Sequence, residues 1–110
     1  MRVFNTYLYE VSKGTKPVAL VTCDVNLCEK ILTKLKKHNI SYALYKVSKE
    51  KINVFFGKKE CIDVINECFL KPLDALNPYE DFILGAILGY DIKLQCKRLL
   101  QKTNKSLSCV

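Results

Sequence analysis

The stretch Leu8-Tyr9-Glu10-Val11-Ser12-Lys13 returns as Leu44-Tyr45-Lys46-Val47-Ser48-Lys49, five of six residues identical at an offset of 36 in a chain of 110. Self-similarity at a fixed offset points to one structural unit used twice. Around the first copy, Val3 to Val11 is rich in β-branched and aromatic residues and predicts a strand. Ser12-Lys13-Gly14-Thr15-Lys16 follows as a turn, and after Pro17 the run Val18-Ala19-Leu20-Val21-Thr22 predicts a buried strand. Asp24 suits an N-cap, and Val25, Cys28, Ile31, Leu32 and Leu35 recur at helical spacing. Lys36-Lys37-His38 then place positive charge where the helix dipole favours it, and Asn39 suits the left-handed position beyond. The second copy repeats the plan. Ser41 to Val47 predicts a strand, Ser48 to Lys51 a turn and Ile52 to Phe56 a strand, with a helix from about Lys59 carrying Cys61, Ile62, Ile65, Cys68 and Phe69 on one face.

This order is ββαββα, an α+β class with an antiparallel four-stranded sheet. It is a ferredoxin-like βαββαβ with its last strand moved to the front, and it places both helices on one sheet face over residues 1–70. Two further helices follow. Asn77-Pro78-Tyr79-Glu80 has the N-cap, the first-position proline and the acid three residues on that together start a helix. That helix runs to Leu88 and stops at Gly89-Tyr90. Asp91 caps the next, whose apolar stripe is Ile92, Cys96, Leu99 and Leu100. The expected organisation is one domain over 1–110, with the repeat core at 1–70, the helical pair at 77–102 and a flexible polar tail at 103–110. The Phe82 helix is apolar nearly all round and must be covered. Phe82, Gly85 and Gly89 are therefore a candidate helix-packing or dimer interface: the helix covers the second sheet face or packs on its own copy.

Composition narrows the function classes. Apolar residues make up 49% and charged residues 26%, as in an ordinary globule. The longest apolar run, Phe82 to Tyr90, is far short of the roughly 20 residues a spanning helix needs. Met1 to Thr6 lacks the apolar core of a signal peptide, and the expected compartment is the cytoplasm. The cysteines at 23, 28, 61, 68, 96 and 109 show no C-x2-C pair and accompany a single histidine, so neither a disulfide framework nor structural zinc is expected. They read as small hydrophobes, with Cys109 the most exposed and Cys23, ahead of a helix, a minor candidate for redox reactivity. No metal or cofactor is expected.

Net charge is +7 and unevenly laid out. Residues 1–59 hold 12 basic side chains against 4 acidic, residues 60–91 hold 7 acids against Lys71, and residues 92–110 hold 5 bases and no acid. Segregated charge steers oppositely charged partners. No catalytic constellation accompanies it. His38 sits among lysines at a helix end, Gly14-Thr15-Lys16 lacks the preceding glycine of a phosphate loop, and no G-x-S-x-G elbow exists. The chain reads as a non-enzymatic binding or regulatory protein. Its candidate partner-binding residues are Lys34, Lys36 and Lys37 at the end of the first predicted helix and Lys13, Lys16, Lys49 and Lys51 on the two turns. Two other classes stay open. An RNA- or DNA-binding domain could stack bases on an open sheet face, although Ile52 to Lys59 does not match the aromatic RNA-binding pattern. A dimeric small-molecule sensor would carry a pocket between protomers.

The segments Asn53-Val54-Phe55-Phe56-Gly57-Lys58-Lys59-Glu60-Cys61 and Glu80-Asp81-Phe82-Ile83-Leu84-Gly85-Ala86-Ile87-Leu88-Gly89-Tyr90-Asp91 add a resemblance over nearly the whole chain. The sequence resembles a small bacterial family of uncharacterised proteins often encoded beside flavodoxin. The resemblance carries no catalytic residue with it. It implies a partner: flavodoxins are small acidic electron carriers, a charge match to the basic residues 1–59.

Overall fold

The computed structural model of the chain describes residues 1–68 and 73–103. Its elements run α1 (Arg2–Lys13), β1 (Val18–Asp24), α2 (Val25–Lys37), β2 (Ser41–Lys46), β3 (Lys51–Gly57), α3 (Lys59–Cys68), a 3-10 turn (Leu73–Ala75), α4 (Pro78–Ile87) and α5 (Ile92–Thr103). The class is mixed α+β, with five helices and a three-stranded antiparallel sheet ordered β1-β3-β2 among the described residues.

The expected first strand is a helix, and the four-stranded permuted sheet goes with it. Phe4, Tyr7, Leu8 and Val11 recur at intervals of three and four. All four are buried or packed against one core, whereas a strand would have grouped Phe4 with Thr6 and Leu8. Gly14 closes this helix in the left-handed conformation at φ 83°, its N–H and that of Thr15 returning to the carbonyls of Val11 and Glu10. The glycine read as a hairpin turn is a helix stop. The repeated hexapeptide is therefore helical at residues 8–13, but at 44–49 it is the end of β2 and the turn beyond it. There the Ser48 hydroxyl accepts the N–H groups of Glu50 and Lys51 at 3.2 and 3.1 Å and bends the chain into β3.

Helices lie on both faces of the sheet, not on one. Alternation along β3 sends Val54 and Phe56 one way and Phe55 the other. On the first face Ala19, Val21, Cys23, Val54 and Phe56 pack under Phe4 and Leu8 of α1 and Ile31 and Leu35 of α2. On the second, Val18, Ala43 and Phe55 pack under Ile62 and Ile65 of α3 and Leu84 and Leu88, at the end of α4. A ferredoxin-like layout would put α2 and α3 on the same side. Central β3 is buried from Asn53 to Gly57, which is why its apolar residues are continuous and not alternating.

Most caps fall where the sequence placed them. Asn39 takes φ 60° after α2. Asn77 and Glu80 exchange side-chain-to-backbone hydrogen bonds of 2.9 Å each, the reciprocal capping box. Gly89 stops α4 at φ 79°, and the Asp91 carboxylate accepts the Leu94 N–H at 3.2 Å. Asp24 occupies the N-cap position of α2, but its carboxylate pairs with Lys51 at 2.8 Å instead of capping. Replacing Asn77 with alanine is expected to lower stability by about 1 kcal/mol through loss of the box, read from urea unfolding. A change of a few tenths would show that α4 does not depend on its cap. Among the described residues no helix is long and apolar enough to cross a membrane. The expectations for Phe69, for Lys71-Pro72 and for residues 104–110, Cys109 included, lie outside the described residues.

Candidate docking site

Sheet register decides which lysines share a surface. Gly57, the last residue of β3, pairs with Val18 at the start of β1 and with Ser41 at the start of β2. Everything that enters β1 and β2 or leaves β3 therefore meets at one end of the sheet. Lys16 lies just before β1. Lys36 and Lys37 form the last turn of α2, which a backbone bond from Ile40 N–H to the Leu35 carbonyl (3.0 Å) folds directly into β2. Lys58 follows β3, its N–H donating to the Pro17 carbonyl at 2.9 Å, and Lys59 opens α3. Lys13 ends α1 near this end. His38 belongs to the same group and is exposed.

Lys49 and Lys51 do not belong to it. Asp24 pairs with Lys51 in the register, so the β2–β3 turn lies at the opposite end of the sheet. The two lysine-bearing turns are not related by a repeat. Lys51 is also engaged: its ammonium is held protonated above its ordinary range, first by the hydrogen bond it donates to Asp24 and then by that carboxylate's charge. Lys34 donates to Asn5 Oδ1 of α1 at 3.0 Å and serves the α1–α2 contact. Lys13 and Lys16 reach over the rings of Tyr9 and Tyr7, at 5.3 and 4.9 Å from the ring centres. Lys59 is paired with Asp63 at 2.8 Å. Lys36, Lys37 and Lys58 are exposed and enter no ion pair among the described residues. Sequence reasoning missed Lys58 and Lys59. Their position immediately after the central strand was visible, but only the antiparallel register brings that strand's exit beside the entries of the other two.

The glycine helix packs within the protomer. A Cβ on Gly85 would meet the Gln95 side-chain oxygen at 2.3 Å, so Gly85 is the point at which α5 approaches α4. Gly89 has open space around it and acts only through its backbone. Phe82 is half-buried. Asp81 receives Lys102 at 2.9 Å and Arg98 at 3.2 Å across the same seam, and these contacts, Lys102 first, hold its carboxyl below the usual range. The cavity between Leu20, Leu73, Leu76, Leu84, Leu88 and this seam is about 200 Å³, below the size of most small-molecule sites.

Cys23 is buried, and burial first, then the neighbouring Cys28 and Asp24, push its thiol up, away from thiolate reactivity. Of the other cysteines, Cys28 and Cys61 are half-buried, while Cys68 and Cys96 are exposed and so do not act as core hydrophobes. No group of three metal-ligating side chains occurs among the described residues. Thr22, Asn53 and Tyr45 form a polar row across the second sheet face, since Asn53 pairs with both others in the register. The Thr22 hydroxyl donates to Asn53, and the Tyr45 hydroxyl to Asn66 of α3 at 2.6 Å. Asn53 is 6% exposed. A polar group buried opposite a threonine pins strand register, because a one-residue slip would bury it unpaired.

No curated protein matches the chain. The family model described as "Protein of unknown function (DUF2023)" matches residues 2–102, which include both segments of the resemblance, and the chain belongs to that family.

Proposed function

We propose that this chain is a non-catalytic docking protein whose basic sheet end takes an acidic protein partner. The observation that carries the reading is the convergence of Lys16, Lys36, Lys37 and Lys58 at the Gly57 end of the sheet, none of them in an ion pair among the described residues. Unneutralised charge on one surface raises the encounter rate with an opposite surface and sets orientation. The rigid strand ends beneath these lysines hold that surface in place. An acidic electron carrier such as flavodoxin, the partner implied by the resemblance, is the first candidate. Base stacking on the sheet gains no support, since helices lie over both faces.

Calorimetric titration against flavodoxin at low ionic strength tests this. Binding is expected in the micromolar range and is expected to weaken as salt rises toward a Debye length of about 8 Å. Changing Lys36, Lys37 and Lys58 together to glutamate should weaken it by roughly tenfold or more, whereas Lys49→Glu, at the far end, should leave it unchanged. Absence of heat and of NMR shifts at high micromolar concentration, or equal effects of the two variants, would overturn the assignment.

A further inference from the structure

We propose that the acidic partner docks by laying an extended segment along the free edge of β1, as an added strand with apolar side chains toward both faces and an acid near Lys16. β1 has a neighbouring strand on one side only among the described residues. Two backbone bonds bracket its ladder with β3: Lys58 N–H to the Pro17 carbonyl at 2.9 Å and Val25 N–H to the Glu50 carbonyl at 2.8 Å. Bonded pairs alternate along an antiparallel ladder, and the register between these two points is unbroken. Ala19, Val21 and Cys23 therefore turn their backbone groups to β3, while Val18, Leu20, Thr22 and Asp24 turn theirs away. Val18 is fully buried, whereas Leu20 is half-buried and Thr22 and Asp24 are exposed. Among the described residues no other backbone group bonds the outward N–H and C=O of Leu20 and Thr22 or the N–H of Asp24. From Val18 to Cys23 no charged residue guards this edge, while the other edge strand, β2, carries the exposed Lys46.

Backbone groups in this alternating pattern are matched by another extended backbone. Two cavities flank the edge, since Leu20 lines both. The one on the first face is about 380 Å³, with Phe4, Tyr7, Leu27 and Ile31 among its walls. The one on the second face is the 200 Å³ cavity beside Leu84 and Leu88. Successive side chains of a strand point to opposite faces, so neighbours in the added segment enter one cavity each. A second copy's β1 cannot fill them, because its Ala19, Val21 and Cys23 are buried in its own core. Charge selects an acidic segment. Tyr7 lines the larger cavity, and over its ring lies Lys16, which is in no ion pair among the described residues. Lys16 also stands at the basic sheet end, so one segment reaches both. The choice of an acid rests on the docking reading above; the added strand rests on the edge itself.

The test is NMR titration and amide hydrogen exchange of the full chain with the end-blocked peptide Asp-Glu-Leu-Phe-Leu-Glu-Asp, acidic at both ends so that either strand direction is served. In the free chain the Leu20 and Thr22 amides should exchange fast while those of Val21 and Cys23 stay protected. Saturating peptide should slow the Leu20, Thr22 and Asp24 amides by roughly tenfold or more. The same peptide N-methylated at its three apolar residues should not bind. Asp24 already has φ −66°, the value that proline fixes, so Asp24→Pro removes an outward N–H without backbone strain. It should weaken peptide binding by roughly fivefold, whereas Asp24→Ala, which also loses the Lys51 ion pair but keeps the N–H, should bind no more weakly. No binding at about 1 mM, or equal binding of the N-methylated peptide, would overturn the proposal. So would Leu20 and Thr22 amides that are protected in the full chain and lose that protection in a chain ending at Thr103, which would assign the edge to residues 104–110. Protection that grows with protein concentration would assign it to a second copy and overturn the proposal equally. Flavodoxin binding that depends on Lys36, Lys37 and Lys58 but is not displaced by the peptide would leave the docking reading standing and remove this one.

Discussion

Gly57→Ala is expected to be among the most damaging single substitutions in the chain. A Cβ at this position would lie 2.2 Å from the Pro17 carbonyl oxygen and 2.6 Å from the Val18 Cα. Both are backbone atoms, so no side-chain rotation relieves the clash. Gly57 is bonded on both sides, to β1 through Val18 and to β2 through Ser41, and the strand cannot shift without opening one ladder. The Lys58 N–H to Pro17 carbonyl bond would open as well. Overpacking against fixed backbone predicts a loss of about 3 kcal/mol or more, equivalent in a domain of this size to a fall in Tm of roughly 15 °C. Gly14→Ala is the control. It has open space around it but sits at φ 83°, so only left-handed strain of about 1 kcal/mol applies. Urea unfolding that ranks the two equally would show that β1 and β3 approach less closely than the register requires.

Phe4→Ala should cost about 3–4 kcal/mol. Phe4 is 1% exposed, and its ring lies 5.2 Å from that of Phe56 with the planes tilted by 60°. Phe4 and Leu8 are the two buried residues of α1, with Tyr7 and Val11 packed beside them, so truncating the first removes the largest buried side chain that docks the helix. The loss is expected to include far-UV helical signal, because an isolated 12-residue helix does not persist in water. Tyr9→Ala gives the contrast. Tyr9 is 62% exposed, with Lys13 over its ring, so a change within about 0.5 kcal/mol is expected. If Tyr9 proved as costly as Phe4, the helical face assigned to α1 would be wrong.

The α1 case shows how a local signal can be read two ways. Val3, Phe4, Thr6, Tyr7, Tyr9 and Val11 favour a strand by propensity, yet Phe4, Tyr7, Leu8 and Val11 carry a helical period. Propensity differences amount to a few tenths of a kcal/mol per residue and are readily overridden. Burial of Phe4 and Leu8 outweighs them. The period is visible in the sequence, although the hexapeptide repeat favours the strand. Elsewhere the local chemistry was decisive: the capping box at Asn77, the left-handed Asn39, the Gly89 stop and the Asp91 cap each depend on residues within one turn, and each stands where the chain predicted it. The proposed basic surface is only partly legible in the sequence. Lys36 and Lys37 stand out at their helix end, whereas only the register separates Lys49 and Lys51 from them and brings Lys58 beside them.

By itself the sequence determined β1, α2, β2, β3 and the α3, α4 and α5 helices, along with the charge available to a partner, because those features follow from short-range periodicity and capping. Tertiary structure alone decided three things. It made one copy of Leu-Tyr-x-Val-Ser-Lys a helix and the other a strand end. It set α2 and α3 on opposite faces of the sheet. Through the pairing of Gly57 with both Val18 and Ser41, it gathered lysines from three separate segments into one surface. Each of these depends on contacts between residues far apart in the chain, which no local pattern encodes.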